Sequence, residues 1–134
     1  MKVLFAGETW IKHIIHVKGF DSFTNSEYGE GIGWFRDAMK SGNIDTTHIP
    51  THEVAEKFPS TLEELQEYDA VILSDVGSNT ILMNINTFTH SKIQANRLNI
   101  IRDYVKAGGG FAMIGGYMSF QGIDCKGQYK DTAI

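Results

Sequence analysis

Three short stretches hold the side chains best suited to chemistry, and each follows an apolar run. Gly7-Glu8 follows residues 2–6 (KVLFA), Asp75-Val76-Gly77 follows residues 70–73 (AVIL), and Gly115-Gly116-Tyr117-Met118-Ser119-Phe120-Gln121 follows residues 111–114 (FAMI). The last stretch is the most informative. Its paired glycines permit a sharp turn that residues with a Cβ would resist. Such a turn would hold Tyr117, Met118 and Ser119 at the carboxyl end of a buried strand. Ligands bind at that rim in open α/β sheets. Glu8 would bring a carboxylate to the same rim, unless it only starts a helix or sits in water. The small polar residues around Asp75 could bind a ligand or cap a following helix. Amide groups of the 115–119 turn could receive an anion if a helix begins there.

Other residues with metal-binding chemistry are poorly spaced for it. His13 and His16 are three apart, but no third ligand of matching spacing is near. His48 and His52 flank Pro50, which keeps them off a shared helical face. Solvated or locally bonded histidines account for both pairs, so no metal and no cofactor are expected. Gly29, Gly31 and Gly33 form G-x-G-x-G and do not directly follow a strand, unlike the dinucleotide fingerprint.

Composition narrows the class. The chain has 134 residues, enough for one domain over 1–134; it is 42% hydrophobic and 21% charged, with a net charge of −4. That balance argues against nucleic acid as a partner, which usually needs a basic stripe. No apolar run approaches the ~20 residues that span a bilayer. The beginning does not read as a signal peptide. The one cysteine, Cys125, cannot form an internal disulfide, so a reducing cytoplasm is the expected location.

The elements that must position these groups follow from periodicity. Residues 2–6, 44–49, 70–73 and 111–114 read as strands, with 111–114 at the sheet centre and 44–49 nearer an edge. Residues 24–40 read as a helix: Thr24 and Glu27 fit a capping box, and Tyr28, Ile32, Phe35 and Met39 recur at helical spacing. Its three glycines would cost about 2–3 kcal/mol relative to alanine, a debt that close packing must offset. Gly42 is the expected helix stop. Ile14, Ile15 and Val17 fit a short extra strand or an irregular loop, and Lys18-Gly19-Phe20-Asp21 reads as a turn. Residues 53–58 suit a short helix. Ser60 and Glu63 suit a capping box for a helix reaching about Tyr68, with Leu62 and Leu65 inward. Residues 80–90 lack a period and read as a long connection. Residues 91–107 read as a helix with Leu98, Ile101 and Val105 on its inner stripe and Ile93, Ile100 and Tyr104 beside it. Nothing beyond Gly122 reads as a strand.

Taken in order, KVLFAGETW, AVILSDVGSN and GGGFAMIGGYMSFQG resemble the class I glutamine amidotransferase-like superfamily. The branch they resemble most is one of amidotransferase-like and uncharacterised cytoplasmic proteins; trehalose-utilisation-type proteins are more distant. The resemblance covers nearly the whole chain. It implies an α/β fold, a flavodoxin-like three-layer α/β/α arrangement on a mainly parallel sheet, with the family's C-terminal part expected to fall outside these residues. Active members carry a G-x-C-x-G nucleophile elbow and a later histidine. Laid on this sequence, the pattern places Gly115 at the first glycine, Tyr117 at the nucleophile and Ser119 at the second glycine. A phenol with a pKa near ~10 is a poor replacement for a thiolate. Cys125 lies eight residues further on, and the last histidine is His90.

The leading expectation is therefore an amidotransferase-like, small-molecule-binding domain without the elbow cysteine. Its expected ligand-binding residues are Gly7, Glu8, Asp75, Gly77, Gly115, Gly116, Tyr117, Ser119 and Gln121. A second reading is a hydrolase or transferase at the same crevice, with Tyr117, Ser119 and Glu8 as the catalytic candidates. A third is an oligomeric interaction domain, a homo-oligomer using Trp10, Trp34 and Phe88 as apolar contact area.

Overall fold

The computed structural model describes residues Met1–Ile134. Four parallel strands form the main sheet: β1 (Lys2–Gly7), β4 (Asp45–Ile49), β5 (Ala70–Ser74) and β6 (Gly110–Ile114), in the order β4-β1-β5-β6. Counting only these four, the order is 2-1-3-4, the flavodoxin-like arrangement. Between β1 and β4 the chain makes a separate antiparallel hairpin, β2 (Thr9–Lys18) and β3 (Asp21–Glu30), and then helix α1 (Gly33–Ser41). Helices α2 (Thr51–Lys57) and α3 (Leu62–Leu65) join β4 to β5. Helices α4 (Ser78–Leu82), α5 (Ile85–His90) and α6 (Arg97–Lys106) join β5 to β6.

Alternation along β1 divides the interior into two layers. Leu4 and Ala6 point into the main core with Val54, Phe58, Leu65, Val71, Leu73, Ile81, Leu98, Ile101 and Tyr104. Phe5 points the other way, onto Phe35 of α1, with ring centroids 4.6 Å apart. The three-layer α/β/α architecture implied by the sequence is thus the observed one. The strands at 44–49 and 70–73, the turn at Gly19-Phe20 and the helix stop at Gly42 also lie where the sequence placed them.

Several local expectations are corrected. Residues 24–40 are not one helix. Thr24 and Glu27 lie in β3, where Glu27 faces Lys12 across the hairpin at 3.7 Å, and the helix begins only at Gly33. The glycines explain the difference. A Cβ on Gly29 would lie 2.5 Å from the Trp10 indole nitrogen, and one on Gly31 would lie 2.6 Å from a Glu8 carboxylate oxygen. They are close-approach positions of a hairpin base, not tolerated faults in a helix. Tyr28 consequently leaves the stripe, and Phe35 and Met39 alone remain half-buried on α1.

Strand β6 lies at the edge of the sheet rather than its centre, with β5 as its one neighbour. The second capping box is one residue later than expected: Glu64 N–H donates to Thr61 Oγ1 at 3.2 Å, and Thr61 N–H donates back to Glu64 Oε2 at 3.2 Å. Residues 80–90 contain the end of α4 and the whole of α5 rather than a bare connection. The last long helix starts at Arg97, because Asn96 accepts from the amides of Leu98 and Asn99 at 3.0 and 3.1 Å. Ile93 therefore lies outside that helix, and it and Val105 are exposed; Tyr104 takes the inner position.

Arg97 is the largest fully buried side chain. Its guanidinium donates to Ala55 O at 2.9 Å, to Ile81 O at 3.4 Å and to Ser60 Oγ at 3.0 and 3.1 Å, tying α6 to the ends of α2 and α4. Burial draws its pKa below the ordinary guanidinium value, with Glu64 partly opposing the shift. Removing the group strands buried carbonyls, each at about 1–3 kcal/mol. The Arg97→Met variant should lose about 2–4 kcal/mol in urea unfolding monitored by circular dichroism; an unchanged midpoint would remove this residue from the architecture.

Candidate functional site

The carboxyl ends of β1 and β5 meet without room for a side chain. Gly7 has φ +110°, and a Cβ there would collide with the Ser74 carbonyl oxygen. The next residue, Glu8, is held in the left-handed region at φ +55°. Its backbone amide donates to Ser74 O at 2.8 Å, and its carbonyl accepts from Gly31 N–H at 2.9 Å. Ser74 Oγ in turn donates to the Glu8 carboxylate. Strained non-glycine backbone of this kind persists only where neighbours over-determine it. Here two backbone bonds and one side-chain bond do so.

This junction floors a hollow of about 270 Å³ lined by Phe5, Glu8, Gly31, Ile32, Trp34, Phe35, Ser74, Ile114 and Gly115. One carboxylate and one hydroxyl therefore face a wall of aromatic and aliphatic carbon. That combination of an apolar lining and few polar groups is the usual make-up of a small-molecule site. Such a hollow can accept hydrogen bonds through Glu8 and stack a flat or apolar ligand face on Trp34, which is 90% exposed.

The other candidates of the sequence are placed differently. Tyr117 is 72% exposed and does not line the hollow. The chain does bend after β6, but Tyr117 is not among the residues with positive φ, so it lacks the strained backbone that projects a nucleophile at an elbow. No α-helix follows the bend; a single 3-10 turn at Ile123–Cys125 comes next, so the helix N-terminus that an anion would need is missing. Ser119 is 3% exposed, its hydroxyl donating to Ile114 O and accepting from Asp75 N–H at 3.1 Å. Asp75, itself at φ +51°, accepts from Met118 N–H through Oδ1 at 2.7 Å. A Cβ on Gly116 would lie 2.6 Å from that same oxygen, so this glycine serves close approach. Asp75, Gly116 and Ser119 form a latch between β5 and the bend.

Gly77 packs against the Met118 methyl group and the backbone of residues 126 and 127. Gln121 borders a separate, larger hollow of about 640 Å³ with Phe120, Tyr129, Lys130 and Ile134. Buried Tyr129 anchors that segment by donating to Val76 O at 2.8 Å, and burial raises its phenol pKa well above the ordinary value. Of the expected ligand residues, then, Glu8 and Gly115 line the smaller hollow, Gly7 fixes the strand junction beside it, and the rest build its surroundings or lie apart. Ser74, Trp34 and Phe35 line it as well. Ser74 stood within the polar run after residues 70–73, whereas Phe35 was marked only by its helical spacing and Trp34 only as apolar contact area for an oligomer.

The four histidines with pairing potential are dispersed. His13 bonds Ser26 at 2.8 Å and His16 bonds Asn25 at 3.1 Å on the hairpin, while His48 bonds Gly7 O at 2.9 Å and His52 meets the Tyr28 ring edge-on. No group of three or more His, Cys, Asp and Glu side chains is arranged to hold a metal ion. Cys125 is exposed, outside the bend. No helix is long and apolar enough to cross a membrane.

A family model described as putative glutamine amidotransferase, GATase1_like, matches residues 2–134. The chain belongs to this family. Two solved structures are similar to this amidotransferase-like chain. The cytoplasmic protein STM3548 of Salmonella typhimurium is 49% identical with a TM-score of 0.93, and the alignment covers 98% of this chain and 54% of that one. The cytoplasmic protein STM1381 of Salmonella typhimurium LT2 is 51% identical with a TM-score of 0.92, again covering 98% and 54%. The chain thus spans about half the length of these relatives. No curated protein matches it.

The latch makes a direct prediction. In the Asp75→Ala variant Met118 N–H loses its acceptor, which should cost about 1–3 kcal/mol of stability in thermal or denaturant unfolding. The Tyr117→Phe variant, altering an exposed ring, should leave the midpoint where it was. Equal losses in both would mean that Tyr117 is structural and the assignment of the latch is wrong.

Proposed function

We propose that this amidotransferase-like chain binds a small molecule in the hollow floored by Glu8 and Ser74, and does not use the cysteine chemistry of active amidotransferases. The observation that carries this reading is the pairing of the Ser74 hydroxyl with the Glu8 carboxylate beside an exposed indole and two phenyl rings. The position laid over the family's nucleophile is Tyr117, without a thiol or positive φ. Hydrolysis or group transfer at the same rim is less well supported. Ser119 is locked in two hydrogen bonds, and Ser74, 1% exposed, is spent on Glu8. The ligand is met by one acceptor-rich edge and one apolar face. The similarity to two cytoplasmic proteins of Salmonella and the single thiol of this chain support a cytoplasmic location.

A panel of small acids, amines, sugars and nucleotides, read by thermal shift, tests the reading. A ligand at a hundred times its Kd stabilises by about 2.7 kcal/mol. At least one class should raise the midpoint by several degrees, the Glu8→Gln variant should lose that shift, and Tyr117→Ala should keep it. No shift from any class, or an undiminished shift without the carboxylate, would overturn the proposal.

Assembly as a homo-oligomer is a second reading, favoured by the hairpin. One face of that arm presents Ile11, Ile15, Val17 and Tyr28, all more than half exposed, with Ser22, Thr24 and Ser26 between them. An isolated two-stranded ribbon is marginal in water and gains from being covered. Trp10 and Phe88, also exposed, add apolar surface elsewhere. Light scattering should then give more than the monomer mass for the wild type and the monomer mass for Ile15→Lys; a wild-type monomer at high concentration counts against it.

A further inference from the structure

The hollow between β1 and α1 has a marked bias in charge. Its walls hold one charged side chain, Glu8, and no lysine, arginine or histidine. Ser74, the single hydroxyl, already donates to Glu8 Oε2. The other carboxylate oxygen, Oε1, takes no hydrogen bond from the protein. It stands so close to Gly31 that a Cβ there would lie 2.6 Å away. Both residues line the hollow, and the missing side chain leaves room beside Oε1. The one side-chain donor left in the lining is the Trp34 indole N–H.

The surroundings have the same sign. A neighbouring hollow shares Gly31 and Trp34 with the first and adds Glu30 and Asp37, again without a basic residue in its lining. Arg36 pairs with Glu30 at 3.4 Å, whereas Glu8 and Asp37 form no ion pair. An anion has one attraction here, the N-terminus of α1, whose cap residue Ile32 supplies no side-chain bond. Glu8 already meets that partial positive charge, because its Oε1 lies beside Gly31, the residue before the cap. A ligand carboxylate or phosphate would therefore be set against Glu8 with no cation to hold it, and like charges placed together weaken binding.

We infer, on the reading of this hollow as a binding site, that it takes a small organic cation bearing N–H groups: an ammonium or amidinium on a flat or apolar body. The charged head donates to Glu8 Oε1, and a forked head also reaches the remaining lone pair of Oε2. The body lies against Trp34, since an indole face attracts a cation more strongly than a phenyl or phenol ring does. Phe35 and Ile114 supply apolar carbon around it. The volume of about 270 Å³ falls just below the ~300–1,000 Å³ of most ligand sites, which limits the body to about one ring or a short chain. A quaternary ammonium, with no N–H to give, lacks the bond to Glu8 and is not the ligand.

Ring compounds of one size separate charge from shape: benzamidine and benzylamine as cations, benzamide and benzyl alcohol as neutral partners, benzoate as the anion. Each is titrated into the chain and followed by the indole N–H signal of Trp34 in NMR spectra. Benzamidine should move that signal and bind roughly tenfold or more tightly than benzamide. In Glu8→Gln, where the Ser74 hydroxyl keeps an acceptor, benzamidine should fall to the affinity of benzamide. Trp34→Ala changes an exposed ring, so it should fold normally and weaken benzamidine by about fivefold, which keeps the test decisive if Glu8→Gln does not fold. Benzamide or benzoate binding as tightly as benzamidine, or benzamidine affinity undiminished in both variants, would overturn the inference. A neutral or anionic compound whose binding still depends on Glu8 would overturn the charge assignment and leave the hollow as a site. Binding weaker than roughly 10 mM for all five compounds would remove both.

Discussion

The junction of β1 with β5 is the constraint on which the rest of this structure depends. Gly7 approaches the Ser74 carbonyl too closely for any other residue, and Glu8 is then turned into the left-handed region. One backbone bond from Glu8 to Ser74 and another from Gly31 to Glu8 fix this corner. The corner lifts the chain out of the sheet and into the hairpin. It also returns the chain, through Gly31 and Ile32, to the start of α1. The same contacts therefore end a central strand, aim the hairpin, place α1 over Phe5 and hold the Glu8 carboxylate at the rim.

A second set of contacts fixes the other wall of the rim. The Asp75 amide donates to Ser119 Oγ and the Asp75 carboxylate accepts from Met118 N–H across the ends of β5 and β6, and Gly116 allows the approach. The family resemblance lays the nucleophile position of active amidotransferases on this bend, and here the polar groups are spent on architecture. Ser119 has no free hydrogen-bonding capacity pointing outward, and Tyr117 projects into solvent. The chemistry left available is that of Glu8, an acceptor against an aromatic wall. Recognition needs no more than that, whereas acyl transfer needs an activated nucleophile and a base in reach of it.

Much of the scaffold was legible in the amino-acid order. Apolar runs at 2–6, 70–73 and 111–114, each closed by glycine or small polar residues, identified parallel strands because burial on both faces demands continuous apolar sequence. The family resemblance supplied their layering. The hairpin was not legible. Thr24 and Glu27 fit a capping box and Tyr28, Ile32, Phe35 and Met39 fit helical spacing, yet Gly29 and Gly31 are needed against Trp10 and Glu8. Spacing cannot report which distant side chain a glycine must admit. The edge position of β6 was equally hidden, since its apolar run has the same form as that of a central strand although only the face of Phe111 and Met113 is partly covered.

For the site, the sequence determined which residues end each strand, and so which groups could reach the rim at all: Glu8, the polar run after Leu73 and the glycine bend after Ile114. It also showed that Tyr117, not a cysteine, stands where the family resemblance lays the nucleophile. The tertiary structure decided the allocation of roles among those groups. Strand pairing put Gly7 beside Ser74 and Ser74 beside Ile114, which brought the Glu8 carboxylate to the Ser74 hydroxyl and locked Asp75 to Ser119. The physical reason is range. Burial patterns and turn preferences act over a few residues and are written locally, whereas partners 44 or 66 residues apart are chosen only when the sheet sets its register.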